Sequence, residues 1–270
     1  MDHQAIRTQL PSLVAKHVPR NSRTFRFKIF DGEPKVSTLG FFIDPQPFDG
    51  TVIATTDAAI VVKTGRTEFA VLDRDLVTEQ PGEGDKVQVR PYARRRFDGQ
   101  RADTPEERTE RSSDGTAYTV KTLILGSAIA KLPIPTPQCP ELQALIEQLE
   151  ELPAPDGYRR ITHLLVDADA RDFTWVDPKP DDIIKSPPAL SFTVATDKFE
   201  GQVTVLYERV HDLYAMELRH GVDVVERVDE VYFDSLGEVL ERLIDDGRWR
   251  QIQVEILRTR ARTPRQELSA

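Results

Sequence analysis

Two neighbouring stretches, FDGTVIATTDAAIVVKTGRTEFAVLDRDLV (residues 48–77) and PGEGDKVQVRPY (residues 81–92), decide the fold. They hold four short apolar runs, at Thr51–Ala54, Ala59–Lys63, Glu68–Leu72 and Lys86–Arg90. Thr64-Gly65-Arg66 and Pro81-Gly82-Glu83-Gly84 separate them, and glycine supplies the positive φ that tight turns need. Strands this short and this regularly punctuated predict a small rolled sheet or barrel rather than βαβ units.

Working outward towards the N-terminus, Ile6, Leu10, Leu13, Val14 and His17 recur at three- and four-residue spacing and predict a helix over about 2–18. Pro11 is expected to kink or restart it. Phe25, Phe27 and Ile29 then alternate with Arg26 and Lys28 as a short strand.

Towards the C-terminus, residues 98–116 (DGQRADTPEERTERSSDGT up to the glycine and threonine) carry no large apolar side chain and read as an exposed loop. Tyr118–Ile124 returns as a strand, expected to pair with Val87–Tyr92 across that loop. The segment LPIPTPQCP (132–140) reads as a proline-rich linker and domain boundary. Cys139 is the single cysteine, so it forms no internal disulfide and reads as a bystander thiol in that linker.

Beyond the linker, Leu142, Leu145, Ile146 and Leu149 mark one helix. Ile161, Leu164, Leu165 and Ala168 mark a second, with Asp156 as its expected cap. Strands are expected at Phe173–Val176, Leu190–Ala195, Val203–Glu208, Leu213–Leu218 and Val228–Phe233. Ser235-Leu-Gly-Glu238 has the capping-box pattern before a third helix that Gly247 stops. Ile252, Val254 and Ile256 alternate as a last strand.

The fold class expected is therefore α+β. A small β-barrel-like domain with an N-terminal helix covers 1–132, and a linker covers 133–140. An acidic α+β domain with a mainly antiparallel sheet covers 141–258, and a frayed tail covers 259–270. A chain of 270 residues suits two small domains. No apolar run approaches the roughly 20 residues of a membrane span, and the N-terminus lacks the apolar core of a secretory signal. A cytoplasmic protein is the expectation.

The most specific pattern is the 48–92 stretch itself. Phe48 and Gly50, Asp57, Gly65-Arg66, Asp73-Arg74 and Gly84 to Val87 resemble the small β domain of plasmid-borne KfrB-type proteins. Leu72 stands where that pattern often has a histidine or polar residue. The resemblance covers about a sixth of the chain. It implies an accessory protein of a plasmid or other mobile element, and no particular reaction.

Chemistry-bearing motifs are sparse. The chain has no GxxxxGK[ST], GxGxxG, HExxH or GxSxG. Asp167, Asp169 and Asp172 offer carboxylates for a hard cation. A calcium loop, however, would need glycine and glutamate where Asp172 and Pro178 stand. Among the five histidines, His211 beside Asp212 at an expected hairpin tip is the best placed for catalysis. Arg94, Arg95 and Arg96, with Tyr92 and Arg101, make the one dense basic cluster, suited to phosphate contact with aromatic stacking. The charge is uneven. Residues 1–135 hold 20 basic and 18 acidic side chains, and residues 136–270 hold 16 and 27.

The function expected is a non-enzymatic binding or adaptor protein that uses its acidic C-terminal half for a protein partner, without cofactor or metal. The alternatives are nucleic-acid binding through residues 90–101, and a metal-dependent hydrolase built on Asp167, Asp169 and Asp172.

Overall fold

The computed structural model describes residues 1–122 and 129–259. In chain order the elements are α1 (His3–Val14), β1 (Arg26–Phe30), β2 (Lys35–Val36), β3 (Phe42–Ile43), β4 (Phe48–Thr55), β5 (Ala59–Lys63), β6 (Glu68–Asp73) and β7 (Lys86–Arg90). They continue with β8 (Glu106–Arg111), β9 (Ala117–Thr122), α2 (Pro140–Glu151), α3 (Ile161–Asp167), β10 (Arg171–Val176), β11 (Ala189–Ala195) and β12 (Glu200–Glu208). The last are β13 (Leu213–His220), β14 (Asp223–Val231), α4 (Leu236–Ile244) and β15 (Gln253–Arg258). This is a mixed α+β fold, mostly sheet with few helices.

The chain divides into two compact units. The first comprises Met1–Lys35, Asp44–Tyr92 and Arg250–Ala270; the second comprises Val36–Ile43 and Ala93–Trp249. The division after Tyr92 differs from the boundary expected at 133–140. The proline-rich segment belongs to the second unit because its few apolar side chains are anchors: Leu132 and Cys139 are buried in that unit's core, with Ile134 packed against it. The Asp177 carboxylate also accepts from the backbone N–H of Gln138 at 2.9 Å and of Cys139 at 2.8 Å. Cys139 is thus a core residue at the N-cap of α2, not a linker bystander.

The first unit is a six-stranded sheet in the order β1-β6-β5-β4-β7-β15. β1 runs parallel to β6, and the other neighbours are antiparallel. One face buries Val52, Ile60, Val62, Leu72, Val87, Val89 and Val254. The other face packs Ala59, Val61, Phe69 and Val71 against Ile6, Leu10 and Val14 of α1. Successive side chains of a strand point to opposite faces, and β5 and β6 are buried at consecutive residues, so these two strands contribute to both layers. Helix α1 runs unbroken through Pro11. Pro11 and Arg7 are both exposed, so the carbonyl that loses its donor faces water, and the cost of an interior proline is reduced.

The sheet does not close into a barrel among the described residues. The free side of β15 makes one parallel bridge, between Ile252 and Val77, with Ile252 N–H donating to Leu76 O at 2.8 Å and Thr78 N–H to Ile252 O at 3.0 Å. β15 itself is the alternating 252–256 segment, and it joins this sheet rather than the C-terminal domain expected to hold it.

The second unit is built on the antiparallel sheet β10-β11-β12-β13-β14, in sequence order. Leu190, Phe192, Val203, Val205, Met216 and Leu218 face a core shared with Leu145 and Leu149 of α2, Leu164 and Leu165 of α3, and Leu240 and Ile244 of α4. Fully burying a side chain of this size is worth about 1.5–3 kcal/mol. Two helix starts differ from expectation. Asp156 caps a turn, accepting from the N–H groups of Tyr158 and Arg159, and Arg160 is the N-cap of α3, where His163 Nδ1 accepts its N–H at 3.1 Å. Ser235 makes no capping hydrogen bond. A 3-10 turn over Phe233–Ser235 leads directly into α4, so Ser235 already has helical backbone angles and its hydroxyl turns to Asp234.

The stretch expected as a loop over 98–116 is mostly a hairpin. β8 pairs with β9 from Glu106↔Thr122 to Arg111↔Ala117, with a turn at Ser112–Thr116. β9 therefore does not pair with Val87–Tyr92. Residues 123 and 124 of the expected strand, and the tail from 260 onward, lie outside the described residues.

Candidate functional site

The basic cluster expected to contact phosphate is largely absorbed by its own fold. Arg94 is buried, with its guanidinium carbon 4.5 Å from the Tyr158 ring centre and its Nη1 donating to Tyr158 O at 3.3 Å. A guanidinium sealed over a tyrosine cannot reach a phosphate, so Arg94 leaves the candidate set. Arg96 donates to Thr104 O at 2.7 Å, and Arg101 forms a forked pair with Asp103 at 2.8 and 2.7 Å. Arg95 is exposed and donates to Gly99 O at 2.9 Å. These arginines fasten a tight turn at 96–101, where Arg95 and Arg101 bridge. Tyr92 belongs to the first unit, so the five residues do not share one unit.

The acidic triplet is separated. Asp167 accepts from Arg159 at 2.9 Å, whereas Asp169 pairs with Arg171. Asp169 and Asp172 both adopt φ near 55° at the entry to β10. No three His, Cys, Asp or Glu side chains are placed to hold a metal ion among the described residues. His211 is exposed and 3.6 Å from Glu208. Its neighbour Asp212 instead accepts from the Tyr207 hydroxyl at 2.5 Å, so that carboxylate does not orient the imidazole.

Sequence reading missed the densest ionic centre. Arg159 is fully buried and binds three carboxylates, those of Asp156 (2.8 Å), Asp167 (2.9 Å) and Asp245. Its guanidinium lies 4.1 Å from the Trp249 ring centre. Burial alone would raise the Asp156 carboxyl, but the Arg159 N–H and guanidinium outweigh it and hold it below the usual carboxylate range. Glu241 behaves oppositely: burial and the nearby Asp245 charge push it up. One cation among this many carboxylates makes a rigid, electronegative centre. It fixes the start of α3, the end of α3 and the end of α4 to one point.

The second unit also presents an edge of distinct character. β14 is the last strand of its sheet and bonds to β13 alone. It is exposed along almost its whole length and carries Asp223, Glu226, Asp229 and Glu230. Val222, Val224 and Val225 stand in solvent at and beside the hairpin tip, Val222 at 88% exposure. Arg227 fixes the strand by reaching Glu208 and Asp229, at 2.7 and 2.6 Å, and Glu217 at 2.5 Å. Burial would raise the Glu217 carboxyl, yet hydrogen bonds from Arg219 and Arg227 hold it low. Exposed valines thus lie beside carboxylates on a strand that is paired on one side only. A lone edge strand otherwise invites aggregation, and the carboxylates guard against that.

Comparison with protein-family models, with curated proteins and with solved structures finds no match to this chain. The reading of its function therefore rests on its own residues.

Proposed function

We propose that the chain is a non-enzymatic adaptor whose acidic second unit binds a basic protein partner along β14. The observation that carries this reading is the segregation of charge by folding unit. The first unit holds 17 basic and 14 acidic residues, net +3; the second holds 19 and 31, net −12. A net charge of magnitude about 2–8 suffices to keep a small domain soluble, so the second unit carries more than solubility needs. Such a field speeds encounter with a basic partner and makes it salt-sensitive. The exposed valines of the β13–β14 hairpin supply apolar contact within it.

Two further features support an accessory role. The first unit is a six-stranded sheet extended past its β15 edge by the Val77–Ile252 bridge, and a small sheet module of this kind suits an accessory role. The likeness of residues 48–92 to the small β domain of KfrB-type proteins fits an accessory protein of a plasmid or other mobile element.

The test compares wild type with an E226K/D229K/E230K variant in quantitative pull-downs from native cytosol at low and high salt. The proposal expects a set of basic proteins that the variant and high salt both release. An unchanged captured set would refute the docking edge.

A further inference from the structure

A row of side chains crosses four strands of the first unit. Thr51 of β4 lies directly opposite Lys63 of β5 on one side and Lys86 of β7 on the other. Lys86 in turn lies opposite Arg258 of β15. Directly paired residues of antiparallel strands project from the same face, which aligns Lys63, Thr51 and Lys86; Arg258, opposite Lys86 just past a register shift after Ile256, lines the same groove and completes the row. At about 4.8 Å between strands, the line is about 14 Å long.

The line lines an open groove of about 670 Å³, which His17 and Glu83 also border. Helix α1 covers the neighbouring part of this unit and ends at Val14. Lys63 Nζ donates to His17 O at 2.7 Å, which anchors one end of the groove to the chain leaving the helix. Lys86 and Arg258 are exposed.

Like charges directly opposite one another destabilise a sheet. Lys86 and Arg258 are such a pair, and neither has an ion-pair partner among the described residues. Glu83, the carboxylate in the groove lining, is directed at the Thr55 N–H at 3.4 Å. The next row along, Asp49–Gln88–Glu255, is acidic at its two ends. Its charges are engaged: Arg90 holds Glu255 at 3.2 Å, and Gln88 donates to Asp49 at 3.3 Å. The groove thus retains three cations in a line against one carboxylate.

We propose that this groove binds the sugar-phosphate backbone of a single nucleic-acid strand, with Lys86 and Arg258 as the phosphate contacts and Lys63 as the fixed end of the row. A linear polyanion matches a linear row of cations. Among the described residues no Phe, Tyr or Trp lines the groove, and His17 is its one aromatic ring, so recognition falls mainly on phosphates and depends little on base sequence. The site is distinct from the 94–101 arginine cluster and from the acidic docking edge, and it rests on neither.

The experiment measures fluorescence anisotropy of a labelled 20-residue oligothymidylate with the full-length chain from 20 to 200 mM salt. Each neutralised phosphate contributes about 0.7 to the salt slope on a single strand, so the two contacts of the wild type are expected to give a slope of about −1.4. A K86Q/R258Q variant should lose most of the binding and bring the slope near zero. Its melting temperature should stay equal or rise, because a like-charge pair has been removed. An R95Q variant should bind like wild type. Polyglutamate at equal charge should compete poorly. Absence of wild-type binding at 20 mM salt, undiminished binding by K86Q/R258Q, or polyglutamate competing as well as the oligonucleotide would each overturn the proposal.

Discussion

Arg159 and Asp245 stand 86 residues apart in sequence and are joined side chain to side chain. The bond ties the end of α4 to the turn that precedes α3. Because the same guanidinium also holds Asp156 and Asp167, removing it strands three carboxylates in a buried setting. Breaking a buried ion pair by deleting one partner typically costs about 3–5 kcal/mol. R159A is therefore expected to destabilise the second unit by at least that amount in urea denaturation. R159K should recover only part of the loss, since an ammonium lacks the planar fork that reaches three acceptors. Equal stability of wild type and R159A would refute the structural role of this centre.

The same centre sets an acid limit. The Asp156 carboxyl is held below its ordinary value in the folded state, so the unfolded chain binds its proton first as pH falls. The stability it contributes is fully present above about pH 4 and is lost as pH drops through the folded value. Glu241, pushed up by burial and by Asp245, works with the opposite sign: its protonation on acidification favours the folded state. D156N should flatten the acid limb of a stability-versus-pH curve, and E241Q should raise stability near neutral pH. An acid limb unchanged in D156N would contradict this assignment.

At the alkaline end, burial pushes the Tyr214 hydroxyl up to about 12. A raised value means the folded state favours the neutral phenol. The stability it adds is complete below the unfolded value near pH 10 and is lost as pH climbs towards the folded one. Two units of separation correspond to roughly 2–3 kcal/mol. Y214F should keep its stability between pH 10 and 12 where wild type declines, and phenolate absorbance should show one late-titrating tyrosine fewer. Coincident alkaline curves would exclude Tyr214 as the cause.

Much of the first unit was legible in residues 48–92, because short apolar runs are separated there by glycine turns. Gly50 illustrates what such a reading cannot supply. It was visible as part of the aromatic-x-Gly pattern, but only the packing explains it: a β-carbon there would collide with the Val62 side chain and lie 2.7 Å from Lys63 O. β15 was visible as a strand, yet alternation at Ile252, Val254 and Ile256 does not say which sheet it joins. Its partner β7 lies more than 160 residues away. β9 was visible as a strand from Tyr118 onward, but its partner β8 was not, because EERTER holds no apolar residue. The candidate sites were harder still. Arg94 and Arg95 are adjacent and chemically identical, and only Tyr158, 64 residues on, decides which of them is buried. The cationic row depends on register between four strands, and residue spacing does not encode register.

Gly50→Ala should accordingly destabilise the first unit. Overpacking a close strand crossing costs about 1–3 kcal/mol, and here one of the clashing atoms is a backbone oxygen that cannot rotate away. The measured quantity is the denaturant midpoint. Gly99→Ala serves as the comparison: it has no neighbour within 4 Å but adopts φ +80°, so it reports backbone strain without collision. A Gly50→Ala midpoint equal to wild type would show that β4 and β5 can separate freely at this point.

Limited proteolysis separates the two possible boundaries. Trypsin has sites at Arg108, Arg111 and Lys121 in the β8–β9 hairpin and at Lys131 beside the proline-rich segment. Among the described residues the hairpin is a two-stranded sheet joined to no other strand, and isolated two-stranded hairpins are marginally stable in water. Its ion pairs, Lys121–Glu107 and Arg108–Glu110, are exposed, and pairs of that kind add about 0–1 kcal/mol each. Segments after Lys131 are held differently: Leu132 is buried, its N–H donates to Glu150 at 2.9 Å, and Cys139 is sealed in the core. Arg101 is restrained by its fork to Asp103. The first cuts are therefore expected at Arg108 or Arg111, with Lys131 cut later and the 140–249 region resistant throughout. Mass spectrometry of the earliest fragments decides between the two. First cleavage at Lys131, with the hairpin intact, would restore the proline-rich segment as an exposed linker and contradict the packing of Leu132 and Cys139 described here.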